Sequence, residues 1–175
     1  MNALIDVLDL QDFLQQDLSG FPDEAQAAVD DASGLVRGYC RRSLTAVTGD
    51  TRGFRWRPTL VLPDPPVTEV TAVELNGAAT SDWDLDDLGR LLVHYGQHGD
   101  TVTVTYDHGF DPLPDGLVPV VKRIAARIFK NPTGRVSYNA DTLSYSGAAD
   151  VSPRTLTGDE QAMLRPWRLH RGWSG

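Results

Sequence analysis

Cysteines, long apolar runs and targeting signals are scarce in this sequence. Cys40 is the only cysteine among 175 residues, which excludes an internal disulfide and a metal cluster held by several thiolates. The sequence has no run of about 18 apolar residues and no signal-peptide pattern, so we expect neither membrane insertion nor secretion. Its length and its 41% hydrophobic content predict one compact domain with room for a small inserted subdomain.

The motifs that carry common enzyme chemistry are also missing. We find no G-x-S-x-G nucleophile turn, no Walker-type phosphate loop and no dinucleotide-binding fingerprint. The aspartates that begin at Asp82 resemble the start of a calcium-binding loop. However, Asp87 stands at the sixth position, where glycine is needed, and Val93 at the twelfth, where glutamate is needed. We therefore predict a protein that is not an enzyme and has neither a cofactor nor a metal ion.

Two histidines have the spacing of a metal-binding pair. His94 and His98 are separated by three residues, so they would share one face of a helix. Gly96 and Gly99 predict a turn at this place instead, which separates the two side chains. A metal hydrolase built on these histidines and on His108 is the third alternative, after the two functions considered below.

The stretch VTVTYDHGFDPLP contains the most suggestive pair, Asp107 and His108. A general acid/base pair needs side chains that converge, whereas neighbours on an extended strand point to opposite faces. Gly109 allows a bend that could bring Asp111 close, but no second histidine accompanies the group. We interpret the stretch as the place where a strand ends and a helix follows.

Basic residues are absent from the first 36 positions, which carry eight acidic residues. Residues 117 to 175 carry nine basic and four acidic residues, although the formal net charge of the whole chain is -8. This asymmetry suits head-to-tail self-association between copies, in which opposite charges select the partner. The alternative is two separately solvated faces.

Apolar residues at helical spacing predict an amphipathic helix over residues 4–18 and a second helix from Pro22 to Cys40. From about Ser43 to Asp107 the pattern changes to short β-rich runs separated by glycine and proline. We expect a small antiparallel β-subdomain there.

Local turn chemistry marks several reversals and one helix start. Asn76-Gly77 is a tight-turn signal, and a second reversal is expected between Gly96 and Gly99. A third helix is predicted over residues 115–131, with Asp115 as its N-cap.

The C-terminal part begins with a predicted β-hairpin over residues 135–146. Its candidate contact residues are Tyr138, Asn139, Asp141 and Tyr145. An isolated hairpin is marginal in water, so it should lie against another surface. Farther along, Thr157 and Glu160 form a capping box that starts a short helix, which stops near Pro166.

Together these elements predict an α+β protein with a helical bundle body, an inserted antiparallel β-subdomain, a projecting hairpin and a short C-terminal helix. The predicted single domain divides into N-terminal helices (1–42), β-subdomain (43–108), core helix (113–131), hairpin (135–146), and C-terminal helix with its tail (157–175).

Arginine and tryptophan are concentrated at the C-terminus, as Arg165, Trp167, Arg168, Arg171 and Trp173. These residue types are enriched at protein–protein hot spots, which favours a tail that docks onto a partner. Packing against the protein's own body and binding of nucleic acid are the alternatives. An acidic chain repels a polyanion over most of its surface, which weighs against nucleic acid.

The order of these segments resembles the head-to-tail adaptor proteins of long-tailed bacteriophages. The segments are VRGYCRRSL, LVLPDPPVTEVTAVELNG, GRLLV and VTVTYDHGFDPLPDGLVPVVKRIAARIF, and the resemblance covers nearly the whole chain. Adaptors of this family share a last β-strand that ends in a Thr-Tyr-x-x-Gly-aromatic turn, followed by proline and a helix. Here those places are filled by Thr105, Tyr106, Gly109, Phe110 and Pro114. The TGDEQAMLRPWR segment looks like the C-terminal part of adaptors from phages of actinobacteria.

The resemblance implies a structural neck protein of the virion, assembled in the host cytoplasm. Such adaptors form a ring, usually dodecameric, that joins the portal protein to a stopper or tail-completion protein. Genomic DNA passes through the ring without sequence-specific binding. In this interpretation, the C-terminal arginines and tryptophans contact the portal, and the hairpin reaches a neighbouring ring or subunit.

Two alternatives remain open. A stopper or tail-completion protein of the same neck would contact tail components first. A small DNA-binding regulator, from a different class, would use the basic tail on phosphates and lose affinity steeply with salt.

Overall fold

The computed structural model describes residues 3–132 and 152–169. Over these residues the protein has an α+β fold with four α-helices and two antiparallel sheets, which confirms the predicted fold class. The chain divides into two compact units, a helical unit from Met1–Arg41 and Pro114–Arg168 and a β unit dominated by Arg42–Leu113. The predicted hairpin over residues 135–146 lies outside the described residues.

The helical unit contains α1 (Val7–Leu14), α2 (Pro22–Cys40), α3 (Val118–Lys130) and α4 (Gly158–Leu164), which a short 3-10 helix (Arg165–Trp167) follows. The apolar sides of α2 and α3 supply most of its core. The fully buried core side chains include Leu10, Leu18, Val29, Val36, Leu117, Ile124 and Leu164. No helix among the described residues is long and apolar enough to cross a membrane.

Capping boxes or a first-turn proline mark the starts of the helices. Asp6 and Asp9 form a capping box at α1, and Thr157 and Glu160 form the predicted one at α4. Pro22 occupies the first turn of α2, as predicted.

The first helix is shorter than its apolar period predicts. It ends at Leu14 because Gln15 adopts the left-handed conformation, with φ 53°, and its backbone N–H bonds back to Asp12 and Gln11. Leu18 is buried nevertheless, since the following turn returns it to the core. The period therefore identified the buried residue but not the end of the helix.

The predicted N-cap of α3 is wrong. Asp115 does not cap the helix, because Leu117 occupies the N-cap position and no side chain caps it. Leu117 is completely buried, and its backbone N–H bonds to the carbonyl of Pro114, which forms a turn before the helix. Burial of Leu117 and a proline in the first turn, Pro119, thus mark the start of α3 in place of side-chain capping.

The β unit contains seven strands: β1 (Val47–Arg55), β2 (Thr59–Val61), β3 (Val67–Leu75), β4 (Ala78–Ala79), β5 (Trp83–Leu85), β6 (Arg90–Val93) and β7 (Thr101–His108). They form a four-stranded sheet in the order β1-β7-β3-β4 and a three-stranded sheet in the order β2-β6-β5. Every pairing is antiparallel. The last strand of the unit, β7, therefore lies inside the larger sheet, between β1 and β3.

The core of the β unit lies under strictly alternating residues of β7. Val102, Val104 and Tyr106 are fully buried and share one cluster with Leu91, Val93 and others. At the Asn76-Gly77 turn both residues have positive φ, 52° and 82°, which confirms the tight hairpin between β3 and β4.

Candidate functional site

The turn at the end of β7 contains the Thr-Tyr-x-x-Gly-aromatic pattern, and the structure fixes most of this pattern inside the β unit. Tyr106 is fully buried, and its hydroxyl donates to the carbonyl of Pro63 at 3.2 Å. Burial raises the pKa of Tyr106 to about 12 because it disfavours the charged phenolate. On the opposite face, the Thr105 hydroxyl lies 3.0 Å from that of Thr51.

Gly109 is required at this turn for two reasons. Its φ is +96°, a conformation that disfavours L side chains. An added Cβ would also collide with the backbone carbonyl of Thr45. The Gly109 N–H donates to the carbonyl of Pro66 at 2.9 Å.

Phe110 completes the turn through its backbone and its ring. Its N–H donates to the carbonyl of Leu44, and its own carbonyl accepts from the N–H of Ala46. The guanidinium of Arg42 lies 5.0 Å from the centre of the ring, and Arg42 also donates to the carbonyl of Pro65 at 2.7 Å. The turn therefore joins the two chain ends of the β unit. Pro114 belongs to the helical unit, where its carbonyl receives the N–H of Leu117.

The side chains of Asp107 and His108 do not converge. Asp107 accepts from the backbone N–H of Gly49 at 2.7 Å and is half-buried. His108 is 3% exposed, and its Nε2 lies 3.1 Å from Oδ2 of Asp50, which also accepts from Arg52. Their alternation across the strand agrees with the sequence argument.

The His94 side chain contacts an aspartate. Nε2 of His94 lies 2.9 Å from Oδ2 of Asp84, and both side chains are exposed. In residues 3–132 and 152–169 no group of three or more His, Cys, Asp or Glu side chains could hold a metal ion.

The tryptophans and arginines of the predicted docking tail do not all lie in one kind of environment. Some pack against the helical unit, one is exposed, and others lie outside the described residues. Trp167 is half-buried against Gly116, where an added Cβ would come within 2.9 Å of its ring. The guanidinium of Arg168 lies 4.9 Å from the centre of the Tyr39 ring. Arg165 is exposed. Arg171 and Trp173 lie outside the described residues, as do Tyr138, Asn139, Asp141 and Tyr145 of the predicted hairpin.

One ion pair that positions this tail was missed from the sequence. Glu160 is 1% exposed and accepts two bonds from the Arg127 guanidinium, at 2.6 and 3.1 Å. Arg127 also donates to the carbonyls of Pro153 and Thr155. The sequence showed Glu160 only as half of a capping box and Arg127 only as a base beside the apolar stripe of α3.

A groove on the helical unit lies beside α4. It has a volume of ≈ 630 Å³, and its lining includes Asp30, Gly34, Tyr39, Arg154 and Gln161. The Tyr39 hydroxyl donates to the backbone carbonyl of Gln161 at 3.1 Å, which joins α2 to α4 across it.

No family model and no curated protein matches this sequence. Its fold is similar to that of a chain in a solved structure titled "Virion of native gene transfer agent (GTA) particle". The two chains are 21% identical with a TM-score of 0.59, and the match covers 98% of this chain and 93% of the other. Similarity at this level of identity shows a shared fold over almost the full length of both chains.

Proposed function

We propose that the protein is a structural component of a phage-like virion, and specifically a head-to-tail adaptor. In this role it forms a ring, expected to be dodecameric, between the portal protein and the stopper or tail-completion protein. The observation that carries the proposal is the shared fold with a chain of a gene transfer agent virion over 98% of this chain. The adaptor-like turn from Thr105 to Phe110 supports the finer assignment.

The geometry of that turn supports a mechanical rather than a chemical role. Its tyrosine, glycine and phenylalanine are occupied in closing the β unit, so none of them is presented to a substrate. The predicted single domain, with the β-subdomain inserted between helices, remains part of the proposal. A ring of such copies would hold its partners through many weak contacts, because repetition around the ring multiplies them.

The charge of the chain suits a channel that DNA must leave freely. A formal net charge of -8 disfavours tight binding to a polyanion, so DNA would pass without sequence-specific contacts. Assembly in the host cytoplasm and a final place at the virion neck follow from this role.

The head-to-tail charge hypothesis has to be modified by contacts inside one copy. Lys122 pairs with Asp9 at 2.7 Å, and Arg154 pairs with Asp31 at 2.8 Å. Part of the N-terminal acidic charge is thus neutralised by the C-terminal half of the same chain. These groups contribute less to contacts between copies than the sequence suggested.

The docking tail gives the most direct test. We expect the full chain to co-assemble with its portal protein and to appear as a ring by electron microscopy. Removal of residues 169–175 keeps the contacts of Trp167 and Arg168, so the truncated protein should fold normally. It should nevertheless bind the portal much more weakly, because Arg171 and Trp173 are lost.

A matched control separates docking from folding. Gly116→Leu would displace the Trp167 ring from its contact with Gly116, while residues 169–175 remain in the chain. Retained portal binding by the truncated chain would show that another surface docks. Binding of the full chain to tail-tube protein in preference to portal would assign it to the stopper or tail-completion class.

A further inference from the structure

The outer edge of β1 is a long unpaired strand edge. Among the strands of the described residues, only β7 pairs with β1, along a register from Val47 to Arg55. The backbone N–H and C=O groups on the other side of this nine-residue strand therefore face away from the sheet. Such an edge is a ready template for a strand from another chain.

A glycine in the middle of this strand favours close approach from outside. Gly53 pairs with Thr103 inside the ladder, and an added Cβ at Gly53 would meet no described atom within 4 Å. Glycine weakens a strand, and it often marks a place where another backbone comes close. Packing within the described part of the chain does not require this glycine, which is consistent with the approach of another backbone.

The same edge is basic within an acidic unit. Residues 42–113 contain five arginines and eleven acidic residues. Three of the five arginines are Arg52, Arg55 and Arg57, which are all exposed. Arg52 pairs with Asp50, whereas Arg55 donates to the carbonyl of Gly99. Arg55 and Arg57 therefore provide positive charge at the end of β1.

The acidic counterpart lies on the smaller sheet. β5 is the outer strand of the order β2-β6-β5, and β6 is its only partner among the described strands. Asp82, Asp84 and Asp87 lie on β5 and beside it, and all three are exposed. Asp84 lies 2.9 Å from Nε2 of His94, and the Asp86 carboxylate that follows is paired with Arg90.

We infer that the basic outer edge of β1 pairs with the acidic outer edge of β5 in a second copy of this chain. Neither outer edge has a strand partner among the described residues, and the charges beside the two edges are opposite. Because the two edges are different surfaces, the contact is heterologous, so repetition closes into a ring or extends into a filament. We expect a closed ring rather than a filament, and this part of the inference rests on the proposed function.

Charged residues at a strand edge can also serve only to prevent aggregation. The two roles predict opposite effects of neutral substitution. If Arg55 and Arg57 only guard the edge, their replacement by serine increases self-association. If they select a partner, the same replacement weakens self-association.

Charge reversal tests the pairing itself. One variant carries Arg55→Asp with Arg57→Asp, and a second carries Asp82→Arg with Asp87→Arg. Each variant alone should self-associate about tenfold more weakly than the original protein, as sedimentation measures, because like charges meet at the contact. An equimolar mixture should recover association, since alternating copies restore opposite charges at every contact. Failure of the mixture to recover, or stronger association of the serine variants, would overturn the inference.

Cross-linking shows which edges meet. Arg57→Cys protein is mixed with Asp82→Cys protein, alone and with the portal ring, and mixed disulfides are measured. Thr71→Cys is the control because Thr71 is exposed on β3, away from both edges, and Cys40 is buried. We expect the mixed disulfide with Asp82→Cys and not with the control. If the yield of mixed disulfide does not exceed that of the control, with or without the portal ring, the edge pairing is overturned. If the protein does not bind the portal, the adaptor function is overturned, and the edge pairing is then judged from the cross-linking of the chain alone.

Discussion

Both units of the protein have an apolar core, but they differ in the contacts that join their distant segments. In the helical unit, ion pairs join elements that are far apart in sequence, as Lys122–Asp9, Arg154–Asp31 and Arg127–Glu160 show. In the β unit, an apolar cluster fills the centre, and backbone hydrogen bonds at the Gly109 turn close its ends. We therefore expect the stability of the two units to respond differently to pH and to mutation.

The surfaces of the two units differ as well. Four of the six large apolar side chains that are exposed among the described residues lie on the helical unit, namely Leu8, Phe13, Phe21 and Met163. The β unit instead exposes basic side chains near the outer edge of β1 and acidic side chains near the outer edge of β5. The charges beside the two strand edges are the part of this contrast on which the proposed pairing between copies depends.

The largest effect is expected from breaking the buried ion pair of the helical unit. Arg127→Ala leaves the Glu160 carboxylate buried without its main partner, which should lower the free energy of unfolding by about 3–5 kcal/mol. Urea denaturation measures the change. Adding Glu160→Gln should recover part of the loss, because the amide removes the uncompensated charge and can still accept the bond from Thr157.

Arg123→Ala is the matched control on the same helix. The Arg123 side chain is exposed, and its described contact is a distant one to the sulfur of Met163, at 4.0 Å. We expect a change within about 0.5 kcal/mol. Equal losses for the two alanine variants would mean that the buried pair does not hold α4 on α3.

The corresponding substitution in the β unit acts through the backbone. Gly109→Ala combines a φ of +96° with a collision against the Thr45 carbonyl, so we expect a loss of about 2–4 kcal/mol in the free energy of unfolding. Gly53→Ala is the control, because an added Cβ there meets open space. A stable Gly109→Ala protein would show that the turn can rearrange.

The smallest effect distinguishes the units by pH. The hydrogen bond from Lys122 lowers the pKa of Asp9. The pair therefore stabilises the folded state at pH values above the usual aspartate pKa of 3.8. The contribution is lost as the pH falls through the lower folded-state pKa of Asp9. Both side chains are partly exposed, which limits the contribution to about 0.5 kcal/mol. The stability difference between the original protein and Lys122→Met should therefore vanish in acid.

The β unit should respond at the alkaline end instead. Burial raises the pKa of Tyr106 from 10.0 to about 12, so the unfolded chain ionises first and stability falls as the pH rises between these values. Tyr106→Phe should remove this component of the alkaline loss, as urea denaturation at several pH values can show. A normal phenol titration in the folded protein would contradict the burial of this hydroxyl.

Some features of the fold followed from the sequence because neighbouring residues determine them. The Thr157–Glu160 capping box and the Asn76-Gly77 turn are examples, since each needs only a few adjacent residues with suitable side chains or backbone freedom. The alternating apolar residues of β7 likewise identified a strand and its buried face.

Other features could not be predicted because distant residues determine them. The β1 strand has no alternating apolar pattern and contains two glycines, and it becomes a strand only because β7 pairs with it. Asp115 is a good N-cap residue, yet the burial of Leu117 places the helix start elsewhere.

Local patterning in the sequence thus settled the fold class, most of the helices and the strand that ends at the Gly109 turn. The fold alone established that Arg127 meets Glu160, that β7 lies between β1 and β3, and that Trp167 packs on Gly116. The physical reason is range: capping, turn formation and side-chain alternation act between residues a few positions apart, whereas burial and ion pairing join residues that only folding brings together.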